Sequence, residues 1–533
     1  MGIPSYFRKI IQKYPSIVCQ RVVECGVLCF DFNCLVYRCI HAPSMKDLVV
    51  PGPGEGEALD AWEDSLLQEV RRTVKEVWDE AGRPKLVYIA VDGVVPMAKI
   101  RQQRVRRFKS AYLRRGCVGG NTWDTNSITP GTRFMTKLGN LLVAMKKEQG
   151  GQGRGWTIST SDEPGEGEHK IMKWLRASKT SETVCIYGLD ADLILLSMLT
   201  GETISNTNLW LMREKQEFGS AASTVVDGVQ EYTFMNLEEF KTKLGVQGRH
   251  EVLNYVGLMS LMGNDFLPHS ITHKLNDDGH DCVIGELREM RRSGEWLVDS
   301  EGVLVCGVLH KICKNWSNSE ESRVLLMIHK KQEQARRGVG KGMDVSEGLP
   351  LQWNVERVFL DPGAGLSKSW RSEYWKFIHP FADREHLCGE YLYGLQWILD
   401  YYTGQKEVNT SWLFPAWIPP LWSDLEKYLF GVSVSISVSV SSGSVSGSSS
   451  AGAAERIQEA QIQPAEQLAM VLPLESWGLV QDRNLRKLPF LAPQLWPLEY
   501  TFFSVGRKWL WECEARIPIL TADRLREILK EAE

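Results

Sequence analysis

Two carboxylates one residue apart, Asp190 and Asp192, are the first place in this chain where residue type and spacing point to chemistry. They follow an apolar run at 184–187 and a glycine, and they precede a second apolar run with the length of a helix. That pattern sets both acids where a strand ends and a helix begins, the edge at which open α/β sheets bind ligands. Neighbouring carboxylates repel, so holding both ionised requires a counter-ion. A hard divalent cation with oxygen ligands is the simplest one. Helix capping by one Asp, with the other in water, accounts for this stretch equally well when it is taken alone.

Other acids break the tie. Asp31 closes an apolar run that starts at 26, and Asp92 closes another from 86, where Gly93 permits a sharp exit. Glu166 and Glu168 stand among glycines where 162–170 opens a helix; capping and the helix dipole explain one Glu there but not two. Asp265 follows Gly263 at the end of a helix expected over 250–262. Asp31, Asp92, Glu166, Glu168, Asp190, Asp192 and Asp265 thus form an acid-rich, His-poor set on strand ends and Gly turns. Such a set suits two Mg²⁺ or Mn²⁺ ions and fits zinc poorly. Paired ions of this kind clamp the attacking water and the departing oxygen of a phosphodiester. Among the acids, the stretch from Gly93 through Trp123 has no Asp or Glu and eight Lys or Arg. On a helix Lys99, Gln103, Arg106 and Arg107 share one side. A basic helix is usually a solvated face. This one has too few apolar positions for a membrane surface and follows an acid-tipped strand, so it reads as a phosphate receptor.

The elements that must position these groups alternate. Strands are expected at 26–31, 86–92, 156–161, 184–187 and 207–211, with helices at 6–14, 33–40, 63–81, 99–108, to about 147, from 162, from 192 and over 250–262. This order implies an α/β fold with a central, mostly parallel sheet flanked by helices. Residues 45–64, rich in Gly, Pro, Asp and Glu, read as a loop, and the polar 275–370 as an insertion with surface helices. From 374 the chain is aromatic-rich. Residues 431–456, where Val/Ser alternation passes into Ser and Gly, read as a low-complexity linker. A helix over 465–470, a strand over 500–503 and a helix over 522–531 close the chain.

At 533 residues the chain is too long for one ordinary core and implies two or three units. An apolar fraction of 43% and a charged fraction of 24% are those of a soluble globular protein. A net charge of −4 leaves no global basic field, so any nucleic-acid site must be a local patch. No apolar run approaches a membrane span, and the N-terminus has no signal-peptide core. Twelve cysteines without a Cys-x-x-Cys pair indicate neither zinc nor a secreted disulfide framework. Those at 25, 29, 34 and 39 read as reduced core thiols.

Several of these words also carry a specific likeness. Gly2-Ile-Pro, Phe30-Asp-Phe-Asn33, Ala90-Val-Asp-Gly-Val-Val-Pro96, the basic run 99–108, Ile128-Thr-Pro-Gly131, Pro164-Gly-Glu-Gly-Glu-His-Lys-Ile-Met172, Tyr187-Gly-Leu-Asp-Ala-Asp-Leu193 and Gly263-Asn-Asp-Phe-Leu-Pro268 follow in that order. With them the chain resembles the eukaryotic Xrn/Rat-type 5′→3′ exoribonucleases. Weaker likeness to that family's second region lies in Gly394-Leu-Gln-Trp397, Ser411-Trp412, 466–473 and 506–520. The resemblance implies a PIN/5′-nuclease-like α/β core over 1–275, a connecting insertion over 276–370, and an appended α-rich, aromatic-rich region over 371–533 interrupted by the linker.

The resemblance further implies processive removal of nucleoside 5′-monophosphates from single-stranded RNA that carries a 5′-monophosphate. The seven acids would hold two Mg²⁺ (or Mn²⁺) ions, and Lys99, Gln103, Arg106 and Arg107 would form a 5′-phosphate pocket that shuts out capped and triphosphate ends. An aromatic pair stacks the terminal bases in that family. Here the pair is Tyr37, standing where the family carries His, and Trp412, for which core packing is the other reading. The chain lacks the Cys-rich sequence that nuclear members carry before Gly263-Asn-Asp, so the cytoplasm is the expected location, with the nucleus as alternative. No membrane partner is expected, and the sequence specifies no protein partner in RNA decay. Two rivals stand beside this reading. A flap endonuclease would follow the last acid with a helix-hairpin-helix, where this chain runs Phe266-Leu-Pro-His-Ser-Ile-Thr-His-Lys274. A non-catalytic RNA-binding scaffold need not keep seven mutually repelling acids.

Overall fold

The apolar runs of the first half pair side by side. The structure, a computed structural model, describes residues 6–20, 25–51, 56–115, 122–149, 155–204, 208–215, 225–226, 229–275, 277–337, 355–363, 365–378, 383–441 and 461–532. Seven strands form the main sheet: β1 Val18–Cys19, β2 Val27–Asp31, β3 Leu86–Ala90, β4 Gly155–Ser159, β5 Val184–Tyr187, β6 Leu209–Glu214 and β7 Tyr232–Asn236. Their order is β1-β7-β6-β5-β2-β3-β4. The pairs β2–β3, β2–β5, β3–β4 and β5–β6 are parallel, while β7 runs antiparallel to β6 and β1. The sheet is therefore mostly parallel and helix-flanked, as the strand–helix alternation predicted. Because both faces are covered, the inner strands read as unbroken apolar runs. In β2, Val27 and Cys29 enter one core while Leu28 and Phe30 enter the other.

Connections place the carboxyl ends of β2 to β5 along one edge. The helices that matter there are α1 Asn33–Ile40, α2 Met97–Arg115, α3 Gly167–Ser178, α4 Asp192–Gly201, α5 Gly248–Ser260, α6 Arg384–Thr403 and α7 Pro464–Val471. The chain proceeds outward from β2 through β3 to β4, then returns to β5 on the opposite side of β2. The order thus reverses between β2 and β5, and at such a switch point the helices splay and leave a crevice.

Three regions depart from expectation. The acid-rich stretch expected as a loop over 45–64 instead contributes the helix Pro43–Lys46 and the start of the helix Gly56–Glu80. Its acids occupy the first turns of that helix, where the dipole favours them, and Trp62, Leu66 and Val70 at helical spacing bury its inner side. The helices Gly279–Ser293, Cys306–Ser317 and Glu320–Arg337, expected on the surface, place Val283, Leu287, Trp316 and Ile328 in the same core as β2 and α5. Their low overall hydropathy reflects one polar face, and the other face is continuous with the core. The helix Trp422–Ser441 carries its backbone into the run expected as linker, since a helix anchored by buried Leu425 and Leu429 propagates readily. The rest of that linker and the Gly2-Ile-Pro word lie outside the described residues.

A third core joins α2 to the C-terminal part of the chain: Met97, Ile100, Val105 and Phe108 pack against Leu468, Met470, Trp496, Ile517 and Leu525. Cations of α2 reinforce this joint. The buried Arg104 guanidinium donates to the carbonyls of Met470 and Leu495, and Arg101 donates to those of Phe414 at 2.6 Å and Ala416 at 2.7 Å. Among the described residues no helix is long and apolar enough to cross a membrane.

Candidate active site

The strand ends bring most of the predicted acids together. Asp31 is the last residue of β2 and pairs in register with Ala90 of β3, two residues before Asp92. Gly167 at the start of α3 presses against both strand ends: a Cβ there would lie 2.7 Å from Asp31 Oδ1 and 2.9 Å from the Ala90 carbonyl. Only glycine fits, and the same approach lets the Gly167 N–H donate to Asp92 Oδ1 at 2.7 Å. Asn33 Nδ2 donates to Asp92 Oδ2 at 2.9 Å, which fixes that carboxylate from the α1 side. Glu166 occupies the N-cap of α3 with no capping bond from its side chain, and Glu168 lies in the first turn. The N-cap of α4 is Ala191, and Asp192 follows it with both carboxylate oxygens buried and unpartnered among the described residues. Capping therefore accounts for none of Glu166, Asp190 and Asp192. Oxygens of Glu168, Asp190 and Asp192 all lie within 4.8 Å of one another, and ligand atoms of Glu166, Glu168 and His169 do likewise.

The basic helix meets this cluster. Lys99, 7% exposed, pairs with Glu166 Oε2 at 2.5 Å and Asp265 Oδ2 at 2.8 Å. A hollow of about 170 Å³ is lined by Asp31, Asp92, Glu166, Glu168 and Asp190 together with Lys99, Gln103, Arg106 and Arg107, with Tyr37 at its rim. Arg107 donates to the Thr129 hydroxyl, so the Ile128–Gly131 turn holds that guanidinium in place. Burial pulls Arg107 down to about 10. Arg106 makes no side-chain hydrogen bond or ion pair among the described residues.

Charge in the cluster is not balanced. Burial, then the charges of Asp92, Asp190 and Asp192, push Asp31 well above the ordinary carboxylate range. Burial and Asp192 do the same to Glu168, and burial with Asp190 raises Asp192 to about 7. Burial also raises Glu166, although the Lys99 ammonium opposes it; burial acts upward on Asp265 too, but there the charge and the hydrogen bond of Lys99 help to hold the carboxyl below its usual range. Lys99, Arg106 and Arg107 together are too few to neutralise this many acids. Orphaned oxygens on Glu168 and Asp192, in a set made almost wholly of carboxylates, fit a hard divalent cation. Glu166, Glu168, Asp190 and Asp192 thus form a possible acidic metal site.

Not every predicted residue reaches the hollow. Asp192 is wholly buried behind it, and Asp265 opens onto a neighbouring cavity on the far side of Lys99. Tyr37 is 38% exposed, whereas Trp412 is 8% exposed, donates to Glu390 at 3.0 Å and lies tilted against Trp397 with ring centroids 5.3 Å apart. The structure brings Tyr37 to the site and leaves Trp412 in the core, because α6 carries Gly394 directly beneath its ring. Tyr401 of α6 was missed: its hydroxyl donates to Glu166 Oε1 at 2.8 Å, and its ring lies 3.9 Å from that of His169. Nothing in the local pattern of that aromatic-rich helix singles it out from Tyr402, one residue on.

Residues 1–215 match the family model described as XRN 5′-3′ exonuclease N-terminus. The chain is 28% identical over 459 residues to 5′-3′ exoribonuclease 2 of Candida glabrata, covering 69% of this chain and 44% of that protein. Over residues 1–215 the chain has the sequence of an XRN-family nuclease N-terminus. Against 5′-3′ exoribonuclease 1 of Saccharomyces cerevisiae it is 27% identical over 418 residues, 68% of this chain and 26% of the relative. Against the human 5′-3′ exoribonuclease 1 it is 30% identical over 326 residues, 54% of this chain and 18% of the relative. The chain spans less than half the length of each of these XRN relatives. The matched stretch of the XRN model contains six of the seven acids and the whole of the basic helix, leaving Asp265 and α6 beyond it.

Proposed function

We propose that the chain is a metal-dependent 5′→3′ exoribonuclease that removes nucleoside 5′-monophosphates one after another from single-stranded, 5′-monophosphorylated RNA, and that it works in the cytoplasm. The observation that carries the reading is one hollow lined both by carboxylates and by Lys99, Gln103, Arg106 and Arg107. Carboxylates alone would suit a cation store, and cations alone an anion site. Gathered around one space of about 170 Å³, they suit a phosphate group whose neighbouring phosphodiester is to be broken.

In this reading Asp31, Asp92, Glu166, Glu168, Asp190, Asp192 and Asp265 hold two Mg²⁺ (or Mn²⁺) ions, Asp265 acting also through Lys99. The chemistry supplied by bound ions is activation of a water and neutralisation of the departing oxygen. The chain's own groups do the rest. Arg106 and Arg107 receive the terminal 5′-phosphate through guanidinium forks, which sets how far the strand can enter and which bond lies among the acids. Gln103, also buried, completes that pocket with its amide N–H as the donor a phosphate oxygen needs. A space this small favours a monophosphate over a cap. Tyr37 at the rim offers a ring for a base to stack on, while Trp412 supports the neighbouring Tyr393 from the core. Cleavage between phosphorus and the 3′ oxygen leaves a new 5′-phosphate on the shortened strand, which fits the same pocket, and this gives processivity a chemical basis.

The test is product analysis on end-labelled RNA with Mg²⁺ or Mn²⁺ added. Labelled nucleoside 5′-monophosphate should appear from 5′-phosphorylated RNA, with 5′-hydroxyl, triphosphate and capped RNA resistant. Release of oligonucleotides, or degradation from the 3′ end, would overturn the reading.

A further inference from the structure

Helix α2 has a second hollow beside it, larger than the first. It measures about 380 Å³, within the range of about 300–1,000 Å³ usual for small-molecule sites. Ala98, Arg101, Gln102, Val105 and Lys109 border it, recurring every three or four residues along one face of α2. Lys99, Gln103 and Arg107 lie on the adjacent face, toward the acids. Among the described residues Arg106 is the one side chain that lines both hollows.

The walls of this cavity are chemically divided. Lys109, Lys274 and Arg507 join Arg106 as a group of cations. Lys109 and Lys274 donate to the carbonyls of Cys513 and Gly506, but Arg507, like Arg106, has no side-chain hydrogen bond or ion pair among the described residues. Burial, and then Arg507 beside it, pull Lys274 down to about 7, so an anion in the cavity would restore its charge. Phe266, Leu267, Pro268 and Val105 provide an apolar surface. Polar groups at this surface are left unsatisfied: Asn264, 7% exposed, has an unpartnered Nδ2, and Gln102 has a buried, unpartnered Oε1. A buried amide donor and a buried amide acceptor without partners are unfavourable unless something supplies them.

We infer that this cavity is a second ligand site, which takes a nucleoside 5′-monophosphate with its phosphate toward Arg106 and Arg507 and its base against Phe266 and Leu267. A bare phosphate would leave most of the space, the apolar surface and both amides unused. A nucleobase has a flat apolar face and an edge bearing donors and acceptors, which matches Asn264 and Gln102. Glu514, whose carboxylate has no hydrogen bond among the described residues, can accept from ribose hydroxyls. Because Arg106 borders both hollows, an occupant here competes for the guanidinium that the 5′-phosphate pocket needs. That consequence rests on the proposed function; the binding itself does not.

The test uses AMP with the full chain in EDTA, measured by calorimetry, with adenosine and inorganic phosphate as separate probes. AMP should bind more tightly than either, Arg507→Glu should weaken it at least tenfold, Arg507→Lys should retain it within threefold, and Arg107→Ala should leave it within twofold. Val105→Trp, which fills the cavity, should abolish it. With Mg²⁺ present, AMP should raise the KM for 5′-phosphorylated RNA at least threefold more in the parent than in Arg507→Glu, where only product competition at the 5′-phosphate pocket remains and whose kcat should match the parent. AMP binding lost in Arg107→Ala but kept in Arg507→Glu, or phosphate binding as tightly as AMP, overturns the inference. A chain that binds AMP as expected but hydrolyses no RNA keeps the second site and sinks the proposed function instead.

Discussion

Replacing Asp192 by Asn should make the metal-free protein more stable at pH 8 while removing its activity. Asp192 is wholly buried, both its oxygens lack partners among the described residues, and burial with the adjacent Asp190 raises it from 3.8 to about 7. Between those values the folded chain keeps a proton that the unfolded chain has released. The raised group therefore contributes stability that is full below about pH 4, declines as pH rises toward 7, and is gone above it. A difference of this size corresponds to about 4 kcal/mol between ionised Asp192 in the fold and in water. Asn carries no charge but leaves a buried amide without partners, which returns about 1–3 kcal/mol of that gain. The net expectation is a metal-free variant about 1–3 kcal/mol more stable than the parent at pH 8, and no more stable than it near pH 4. Denaturant unfolding in EDTA at both pH values measures this. Mg²⁺ should then stabilise the parent and barely affect the variant, whose hydrolysis of 5′-phosphorylated RNA should be undetectable. Asp31 and Glu168 are raised in part by the charge of Asp192 itself, so its removal relaxes both and adds to the stabilisation in the same direction. A variant less stable than the parent at pH 8 in EDTA, or one that digests RNA at the parent rate, would refute the idea that this carboxylate is held ionised for a cation.

Tyr401→Phe removes the hydrogen bond to Glu166 and keeps the ring; the Mg²⁺ concentration for half-maximal hydrolysis should rise about tenfold with the KM for RNA unchanged, as an assay across Mg²⁺ concentrations would read. Arg106→Ala should erode the preference for 5′-monophosphate over 5′-hydroxyl ends by roughly tenfold, compared as kcat/KM on matched RNAs, since the lost group is a charge-assisted phosphate donor. Arg104→Met leaves the Met470 and Leu495 carbonyls without their donor and should destabilise the chain by about 2–4 kcal/mol, with hydrogen exchange rising first in Pro464–Val471 and Ala522–Glu531.

Much of the fold and of the candidate site could be read along the chain because the determinants are local. A run such as Val184–Tyr187 followed by a glycine states its own strand and its own exit, and parallel strands so terminated must collect their acids at one edge. That reasoning located Asp31, Asp92, Asp190 and Asp192, and it set Glu166 and Glu168 at the start of α3. Other features were decided only by contacts between distant segments. Whether Trp412 faces a ligand or a core depended on Gly394 passing beneath it, and Tyr401 became a partner of Glu166 only when α6 packed beside α3. The cations of α2 look alike in the sequence, yet Arg101 and Arg104 bind carbonyls of the C-terminal part while Arg106 and Arg107 face the acids. Strand and turn signals depend on neighbours a few residues away, so a sequence displays them. The surroundings of a buried charge are assembled from segments hundreds of residues apart, and only the folded chain determines which of several equivalent arginines meets a carbonyl and which is left for a phosphate.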